Sequence, residues 1–283
     1  MLCGMTINLS VNMFKGKAIY NPSGKAGEYA KWACNLYVGC SNDCAYCYCK
    51  KGVLGTVMGK PKATLKSCFK DEEHAMAVFA KELQKKADTI RKDGGLFFSF
   101  STDPCLPETI ELTMLCTMLA TGFDVPCSIL TKCTDWLDDK DVFNSLMMVK
   151  RKVAIGFTLT GLDRLESGPT VASNEKRIEA LKRVHEAGFK TFVSVEPVIE
   201  PRRSLAMIMD SVEACDFYKI GLLSGDKSYD WDEMAHFISD VDAVVAKRNI
   251  PVYWKKSVTD FFGSEPFGRT KVDKDFNLFN KQK

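Results

Sequence analysis

The stretch Gly39-Cys40-Ser41-Asn42-Asp43-Cys44-Ala45-Tyr46-Cys47 carries three cysteines at C-x3-C-x2-C spacing. At such short intervals the three thiolates can converge on one metal centre from a single loop. Soft thiolate ligands favour zinc, copper(I) or iron–sulfur clusters. A four-iron cluster bound by only three cysteines leaves one iron open, and an open position is typical of a catalytic metal site. The spacing therefore favours a catalytic iron–sulfur cluster.

Two other interpretations of these cysteines stay open at this point. A closed zinc site needs a fourth ligand, which Cys49 can supply, although no second C-x2-C or H-x3-H pair follows. Such a site predicts a zinc-stabilised binding protein without catalysis. A thiol oxidoreductase that uses Cys44 and Cys47 is the other alternative, but it leaves Cys40 unexplained.

Composition narrows the classes of protein further. The 283 residues carry a net charge of +3, which is far from the strongly basic balance of a typical nucleic-acid-binding protein. The amino terminus lacks the features of a signal peptide, and no apolar run has the length of a membrane span. We therefore expect a cytoplasmic enzyme without a membrane partner. In that compartment the 12 cysteines indicate metal binding or thiol chemistry rather than disulfides.

Short apolar runs alternate with segments of helical periodicity along the chain, which predicts βαβ units and a parallel sheet. The predicted strands are 34–38, 96–100, 127–130, 153–159, 191–195 and 217–222. The predicted helices are 71–92, 107–122, 140–149, 173–188, a short helix capped by Ser204, and 230–247. Six strand–helix pairs are compatible with a partial (β/α)6 TIM-type barrel or with an open doubly wound sheet. The barrel is our prediction, with the cysteine loop after its first strand.

The domain prediction is one domain over residues 1–283. Its core spans about 30–225, and 226–283 form a C-terminal extension that covers the barrel. Active sites of such barrels lie at the carboxyl ends of the strands. In this chain the predicted strands run into polar residues at that end, which are Ser101, Thr102, Asp103, Thr131, Lys132, Thr158, Thr160, Glu196, Ser224 and Asp226.

The cysteine motif resembles that of the radical S-adenosylmethionine (radical SAM) superfamily, in which an aromatic residue precedes the third cysteine, as Tyr46 does here. Further stretches look like the spore photoproduct lyase-like branch, namely 35–40, 44–48, 101–104, 130–132 and 166–177. The resemblance implies that Cys40, Cys44 and Cys47 bind a [4Fe–4S] cluster. It also implies that reductive cleavage of S-adenosylmethionine yields a 5′-deoxyadenosyl radical, which abstracts hydrogen from a substrate.

Several residues are candidates for binding S-adenosylmethionine. Lys132 directly follows a buried strand and suits the carboxylate of the cofactor, with a solvated surface lysine as the alternative. Ser101, Thr102 and Thr158 can bond its amino group or its ribose. Two more members of the predicted set are Tyr46 and Asp103. By resemblance Arg177 reaches the cofactor as well, with a surface helix residue as the alternative. Glu196 is expected to have a ligand or a structural partner, because an unpaired carboxylate there is costly.

Two residues depart from the branch pattern. Cys105 stands where relatives have an aromatic residue. A thiol at that position can donate a hydrogen atom to a product radical, as a cysteine does in spore photoproduct lyase, although a neutral loop substitution is the simpler interpretation. Cys49 is an extra ligand or a spectator. The branch resemblance further implies a lyase or transferase acting on a nucleic-acid or nucleotide substrate, with a flavodoxin- or ferredoxin-like external electron donor.

Overall fold

The computed structural model describes residues 17–223, 225, 228–263 and 267–280. The strands in these residues are β1 (Ile19–Tyr20), β2 (Ala33–Cys34), β3 (Tyr37–Val38), β4 (Thr64–Leu65), β5 (Leu96–Phe98), β6 (Cys127–Thr131), β7 (Val153–Thr158), β8 (Lys190–Val198), β9 (Tyr218–Leu222) and β10 (Val252–Trp254). The α-helices are α1 (Gly52–Met58), α2 (Glu72–Lys92), α3 (Ile110–Gly122), α4 (Lys140–Met148), α5 (Asn174–Glu186), α6 (Pro201–Ser211), α7 (Trp231–Val245) and α8 (Lys256–Phe262).

Eight of the strands form one sheet in the order β1-β2-β5-β6-β7-β8-β9-β10. β1 pairs antiparallel with β2, and every other pair in this sheet is parallel. Within the described residues the edge strands β1 and β10 are not paired with each other, so the sheet does not close. The prediction of an α/β fold with parallel strands is confirmed.

The two faces of the sheet are covered differently, because successive side chains of a strand point to opposite sides. One face packs on the helices in a large apolar core. The inner face carries a second cluster, which consists of Ala33, Phe97, Ala154, Phe192, Phe217 and Tyr253. The partly buried residues packed against that inner cluster lie in loops and strands and in the segment 272–279, not in α1–α8. Helices on one face only distinguish a partial barrel from a doubly wound sheet.

Gly156 of β7 shows how tightly the inner face is filled. A Cβ atom at this position would lie 2.3 Å from Cζ of Phe192, which belongs to the neighbouring strand β8. The Phe192 ring thus occupies space that any other residue at position 156 would need.

Some predicted elements differ from the observed ones. The predicted first strand is divided into β2, which joins the main sheet, and β3, which pairs with β4 in a separate two-stranded sheet. Ser173 caps α5 as predicted by accepting a hydrogen bond from the backbone N–H of Lys176. Ser204 does not cap a helix, because α6 already begins at Pro201 and Ser204 is buried within it. Among the described helices, none has both the length and the apolar character that crossing a bilayer requires.

Candidate active site

A cavity of about 440 Å³ lies at the carboxyl ends of the central strands, within the size range of small-molecule sites. Its wall contains all three predicted metal ligands, Cys40, Cys44 and Cys47. It also contains most of the predicted cofactor-binding residues, namely Tyr46, Ser101, Thr102, Asp103, Lys132, Thr158 and Glu196. Residues far apart in sequence thus meet at one site, at the end of the sheet where barrel enzymes carry their chemistry.

Asp103 fixes the cysteine loop to the ends of two strands. One carboxylate oxygen accepts hydrogen bonds from the side chain of Asn42 and from the backbone N–H of Lys132, both at 2.8 Å. The other accepts from the hydroxyl of Thr131 at 2.6 Å and from the backbone N–H of Cys105 at 2.9 Å. Because four protein donors already bind its carboxylate, the main role of Asp103 is to anchor the loop, not to bind the cofactor.

Glu166 is a second anchor of the same loop. Its carboxylate accepts hydrogen bonds from the Tyr46 hydroxyl and from the Arg177 guanidinium, and its side chain and that of Arg177 are fully buried. Arg177 also donates to the carbonyl of Thr158 at the end of β7. The aromatic residue of the cysteine motif is therefore tied to α5 through one carboxylate.

Backbone contacts complete the attachment of the cysteine loop. The N–H of Ala45 donates to the carbonyl of Leu165 at 2.8 Å, and the N–H of Gly168 donates to the carbonyl of Asn42 at 3.1 Å. A Cβ atom on Gly168 would lie 2.1 Å from the carbonyl oxygen of Ser41. Only glycine permits this close approach, so the segment after β7 clamps the cysteine loop from outside.

The three thiols have different acidities. Burial raises the pKa of Cys44, and it raises that of Cys40 to about 12. A hydrogen bond from Cys49 lowers the pKa of Cys47 to about 6, against the opposing effect of burial. Cys49 itself lines the cavity, with its sulfur 3.5 Å from the carbonyl oxygen of Phe100. Metal ligands must be thiolates, so binding to Cys40 and Cys44 has to displace protons.

Among the described residues, no three His, Cys, Asp or Glu side chains converge closely enough to hold a single metal ion. A four-iron cluster does not need such convergence, because each of its thiolates binds a different iron. The arrangement of Cys40, Cys44 and Cys47 around one cavity fits such a cluster.

Two side chains on the cavity wall fit a polar ligand. The Thr102 hydroxyl is buried without a hydrogen-bond partner in the described structure, a costly state that a ligand would relieve. Lys132 makes a cation–π contact with Tyr46, 5.7 Å from Nζ to the ring centroid, and no ion pair with a described residue. Burial lowers the pKa of Lys132, but the charges of Cys44 and Glu166 outweigh it and raise that pKa. An ammonium group without an ion pair among the described residues thus shares the cavity wall with the cysteines.

The opposite part of the cavity wall holds a network that sequence reasoning did not find. Both carboxylate oxygens of Glu196 accept from Lys255, at 2.8 and 2.7 Å, and one also accepts from the Tyr29 hydroxyl at 2.5 Å. That hydroxyl lies 2.6 Å from the Ser194 hydroxyl. A Cβ atom on Gly221 would lie 3.0 Å from both Glu196 and Lys255, so glycine leaves room for their ion pair. Glu196 therefore has a structural partner, as expected.

The other predicted residues have surroundings that differ from those expected. Cys105 is buried in the apolar core. Neither Cys105 nor Arg177 is part of the cavity wall. Ser101 lines the cavity, but its hydroxyl is used in a buried hydrogen bond to the carbonyl of Tyr37 at 2.6 Å. Ser224 and Asp226 lie outside the described residues.

Comparison with known proteins agrees with this geometry. The family model of the radical SAM superfamily matches residues 34–237, and the chain belongs to this superfamily. An uncharacterized protein of Methanocaldococcus jannaschii is 26% identical over 204 residues, which cover 69% of this chain and 70% of that protein. A cysteine-to-alanine mutant of spore photoproduct lyase superposes with a TM-score of 0.55 at 17% identity, over 80% of this chain and 76% of the other.

A second similar structure is Streptococcus suis SuiB bound to S-adenosylmethionine, with a TM-score of 0.54 and 12% identity. The match covers 81% of this chain and 51% of SuiB, so the chain spans about half of that protein's length. Both structures share the fold of a partial TIM-type barrel, which confirms the predicted architecture. As a member of the superfamily, the protein is an enzyme that uses a [4Fe–4S] cluster and S-adenosylmethionine.

Proposed function

We propose that Cys40, Cys44 and Cys47 bind the [4Fe–4S] cluster of a radical SAM enzyme whose substrate enters the cavity of about 440 Å³. One observation carries this proposal: the three cysteines, Lys132 and Thr102 line the same cavity. A reduced cluster held by these cysteines would supply the electron for cleavage of S-adenosylmethionine to methionine and a 5′-deoxyadenosyl radical.

The chain's own residues bind and orient the cofactor in this proposal. Lys132 neutralises its carboxylate, because an ammonium group without an ion-pair partner in the described residues faces the cysteines. Thr102 supplies a hydrogen bond to a polar group of the cofactor, and Thr158 lines the wall where the ribose is expected. Asp103 and Glu166 hold the loop and the ends of the strands that present these groups.

We propose a nucleic-acid or nucleotide substrate on the strength of the sequence stretches that look like the spore photoproduct lyase-like branch. A peptide is the other substrate class to consider, because the structure of SuiB bound to the precursor peptide SuiA is similar, with a TM-score of 0.50 at 13% identity. A fold of this kind serves more than one substrate class. Screening oligonucleotides, nucleotides and peptides for transfer of deuterium into 5′-deoxyadenosine distinguishes these classes.

Anaerobic reconstitution with iron and sulfide tests the proposed ligands. We expect a brown protein with about four irons and four sulfides per chain that forms 5′-deoxyadenosine when it is reduced in the presence of S-adenosylmethionine. Cys44→Ala should lose the cluster, whereas Cys105→Ala, a matched change of a buried thiol outside the cavity, should retain it. Loss of the cluster from both variants would contradict the ligand assignment.

Membership of the radical SAM superfamily argues against the zinc-stabilised binding protein, and the same experiment tests that alternative directly. A colourless protein that carries stoichiometric zinc and never takes up iron and sulfide would favour it. Cys49, which lies 3.5 Å from the carbonyl of Phe100, would then be the candidate fourth ligand.

A further inference from the structure

We propose that four exposed lysines beside the cysteine loop, Lys50, Lys51, Lys60 and Lys62, form a docking surface for an acidic electron-transfer protein of low potential. We call this set the lysine rim. The proposal rests on the proposed function, since it assigns the surface through which the reductant reaches the cluster held by Cys40, Cys44 and Cys47.

The lysine rim is attached directly to the predicted ligands. The backbone N–H of Lys50 donates to the carbonyl of Cys47 at 3.2 Å, and the N–H of Cys40 donates to the carbonyl of Lys60 at 3.0 Å. A Cβ atom on Gly39 would lie 2.3 Å from the carbonyl oxygen of Lys62, so the segment that ends the rim packs against the start of the loop. Lysines thus contact the cysteine loop both at its first cysteine and at its third.

Charge around this loop is strongly asymmetric. Residues 48–66 contain five lysines and no aspartate or glutamate. Lys50 pairs with Asp43, whereas Lys51, Lys60 and Lys62 form no ion pair with any residue that the structure describes. Unpaired charges of one sign raise the local concentration of an oppositely charged partner and accelerate its association.

The same segment exposes apolar surface between its lysines. Tyr48 is 47% exposed and Val57 of α1 is 56% exposed. An apolar centre with a charged border is the usual composition of a protein–protein interface. Electron-transfer partners form small and transient interfaces of this kind.

A protein reductant fits the outer part of the lysine rim better than a substrate does. Lys50 and Lys60 line the cavity, but Lys51 and Lys62 do not. A substrate has to enter the cavity, where the radical forms, whereas an electron only has to reach the cluster through its ligands. Cys40 and Cys47 are partly buried and bond the backbone of Lys60 and Lys50, so a cluster on these cysteines would lie close to this surface.

The test compares two reductants on the Lys51→Glu/Lys62→Glu double variant in the complete, reconstituted protein. With a reduced acidic flavodoxin at low salt, we expect the initial rate of 5′-deoxyadenosine formation to fall by about tenfold, as electrostatic steering reverses. With a viologen radical cation, we expect no loss of rate. The matched control, Lys92→Glu/Lys190→Glu, carries the same charge change at exposed positions where α2 ends and β8 begins, at the other end of the sheet.

A binding measurement makes the test independent of turnover. Oxidised flavodoxin should bind the unaltered protein more tightly at low salt than at high salt, and the double variant should lose that dependence. If the unaltered protein forms no 5′-deoxyadenosine with the viologen, the proposed function fails, while the titration still tests the lysine rim.

Three outcomes would overturn the proposal. The flavodoxin-driven rate and the flavodoxin affinity could be the same in the double variant and the unaltered protein. The double variant could lose rate equally with flavodoxin and viologen, which would indicate a damaged loop. Finally, the substitutions could weaken binding of an oligonucleotide substrate without changing the flavodoxin-driven rate, which would assign the rim to the substrate.

Discussion

Glu166 and Arg177 form an ion pair in which neither side chain is exposed to solvent. Glu166 lies in the segment after β7, and Arg177 lies in α5. The same carboxylate accepts a hydrogen bond from Tyr46 of the cysteine loop. The pair therefore links the position of the loop to the position of a helix more than 100 residues later in the chain.

Replacing Glu166 by alanine should cost about 3–5 kcal/mol of folding free energy, because the buried Arg177 charge keeps only the longer contact with the exposed Asp163, at 3.6 Å. Anaerobic thermal unfolding checks this value. The control is Asp138→Ala, which breaks the exposed pair between Asp138 and Arg183 and should cost at most about 1 kcal/mol. Equal effects of the two substitutions would contradict the structural role of Glu166.

Lys132→Ala should raise the KM for S-adenosylmethionine by about tenfold or more, since a hydrogen bond between charged groups contributes about 1.5–3 kcal/mol. The iron content should stay unchanged, because Lys132 is not a metal ligand. Lys256→Ala is the control, as Lys256 is 75% exposed and pairs with Asp260 on the same helix. An unchanged KM in the Lys132 variant would exclude it as the carboxylate partner.

Thr102→Val should weaken binding of S-adenosylmethionine while leaving the stability of the cofactor-free protein unchanged or higher. The reason is that the Thr102 hydroxyl is buried without a partner in the described residues, so removing it relieves a cost. Ser101→Ala should behave in the opposite way. It loses the bond to Tyr37 and should destabilise the protein by about 1 kcal/mol with little effect on the cofactor. Isothermal titration and thermal unfolding together separate the two cases.

Lys219 gives a prediction about pH. Its ammonium group donates to the carbonyls of Glu28 and Tyr29, at 3.3 and 2.8 Å. Burial, and to a lesser extent the charge of Lys255, lower its pKa to about 7 against the opposing effects of Glu196 and Glu28. The unfolded chain then binds more protons than the folded one between pH 7 and the usual lysine pKa of about 10.4.

This one group should therefore make the protein more stable as the pH rises through that interval. Its contribution is unfavourable below the folded-state pKa, where both states are protonated. Lys219→Met should lack this term. The unfolding temperatures of the unaltered protein and the variant should be measured at several pH values above 7. As the pH rises, the unaltered protein should gain stability relative to the variant. A constant difference would show that Lys219 keeps an ordinary pKa.

Much of the fold is encoded locally, which is why the sequence predicts it. The apolar runs at β5 to β9 are bounded by polar loops, and helix caps such as Ser173 act within one turn. The first strand was harder to predict. Asn35 interrupts its apolar run, because its side chain bonds the Tyr20 hydroxyl and the backbone N–H of Phe100. Those partners are distant in the sequence, so no local pattern reveals the break.

The candidate site also has a part that local sequence predicts and a part that it does not. Cys40, Cys44 and Cys47 share a spacing that any reader of the sequence can recognise. Tyr29 has no such signal. Its hydroxyl bonds Glu196 and its backbone carbonyl accepts from Lys219, and both partners are distant in the sequence. The suggestion that Cys105 donates a hydrogen atom rests on its place in the branch pattern, whereas the structure buries its side chain in the core, outside the cavity wall.

The loop that carries the three cysteines is anchored by residues 61 and 120 positions further along the chain. A short peptide with the same cysteines could capture iron, but it would lack the carboxylates that give the metal centre its direction. The identity of the ligand atoms can therefore be transferred between proteins, whereas their orientation depends on the whole chain. Grafting the nine residues 39–47 into another scaffold would transfer only the first.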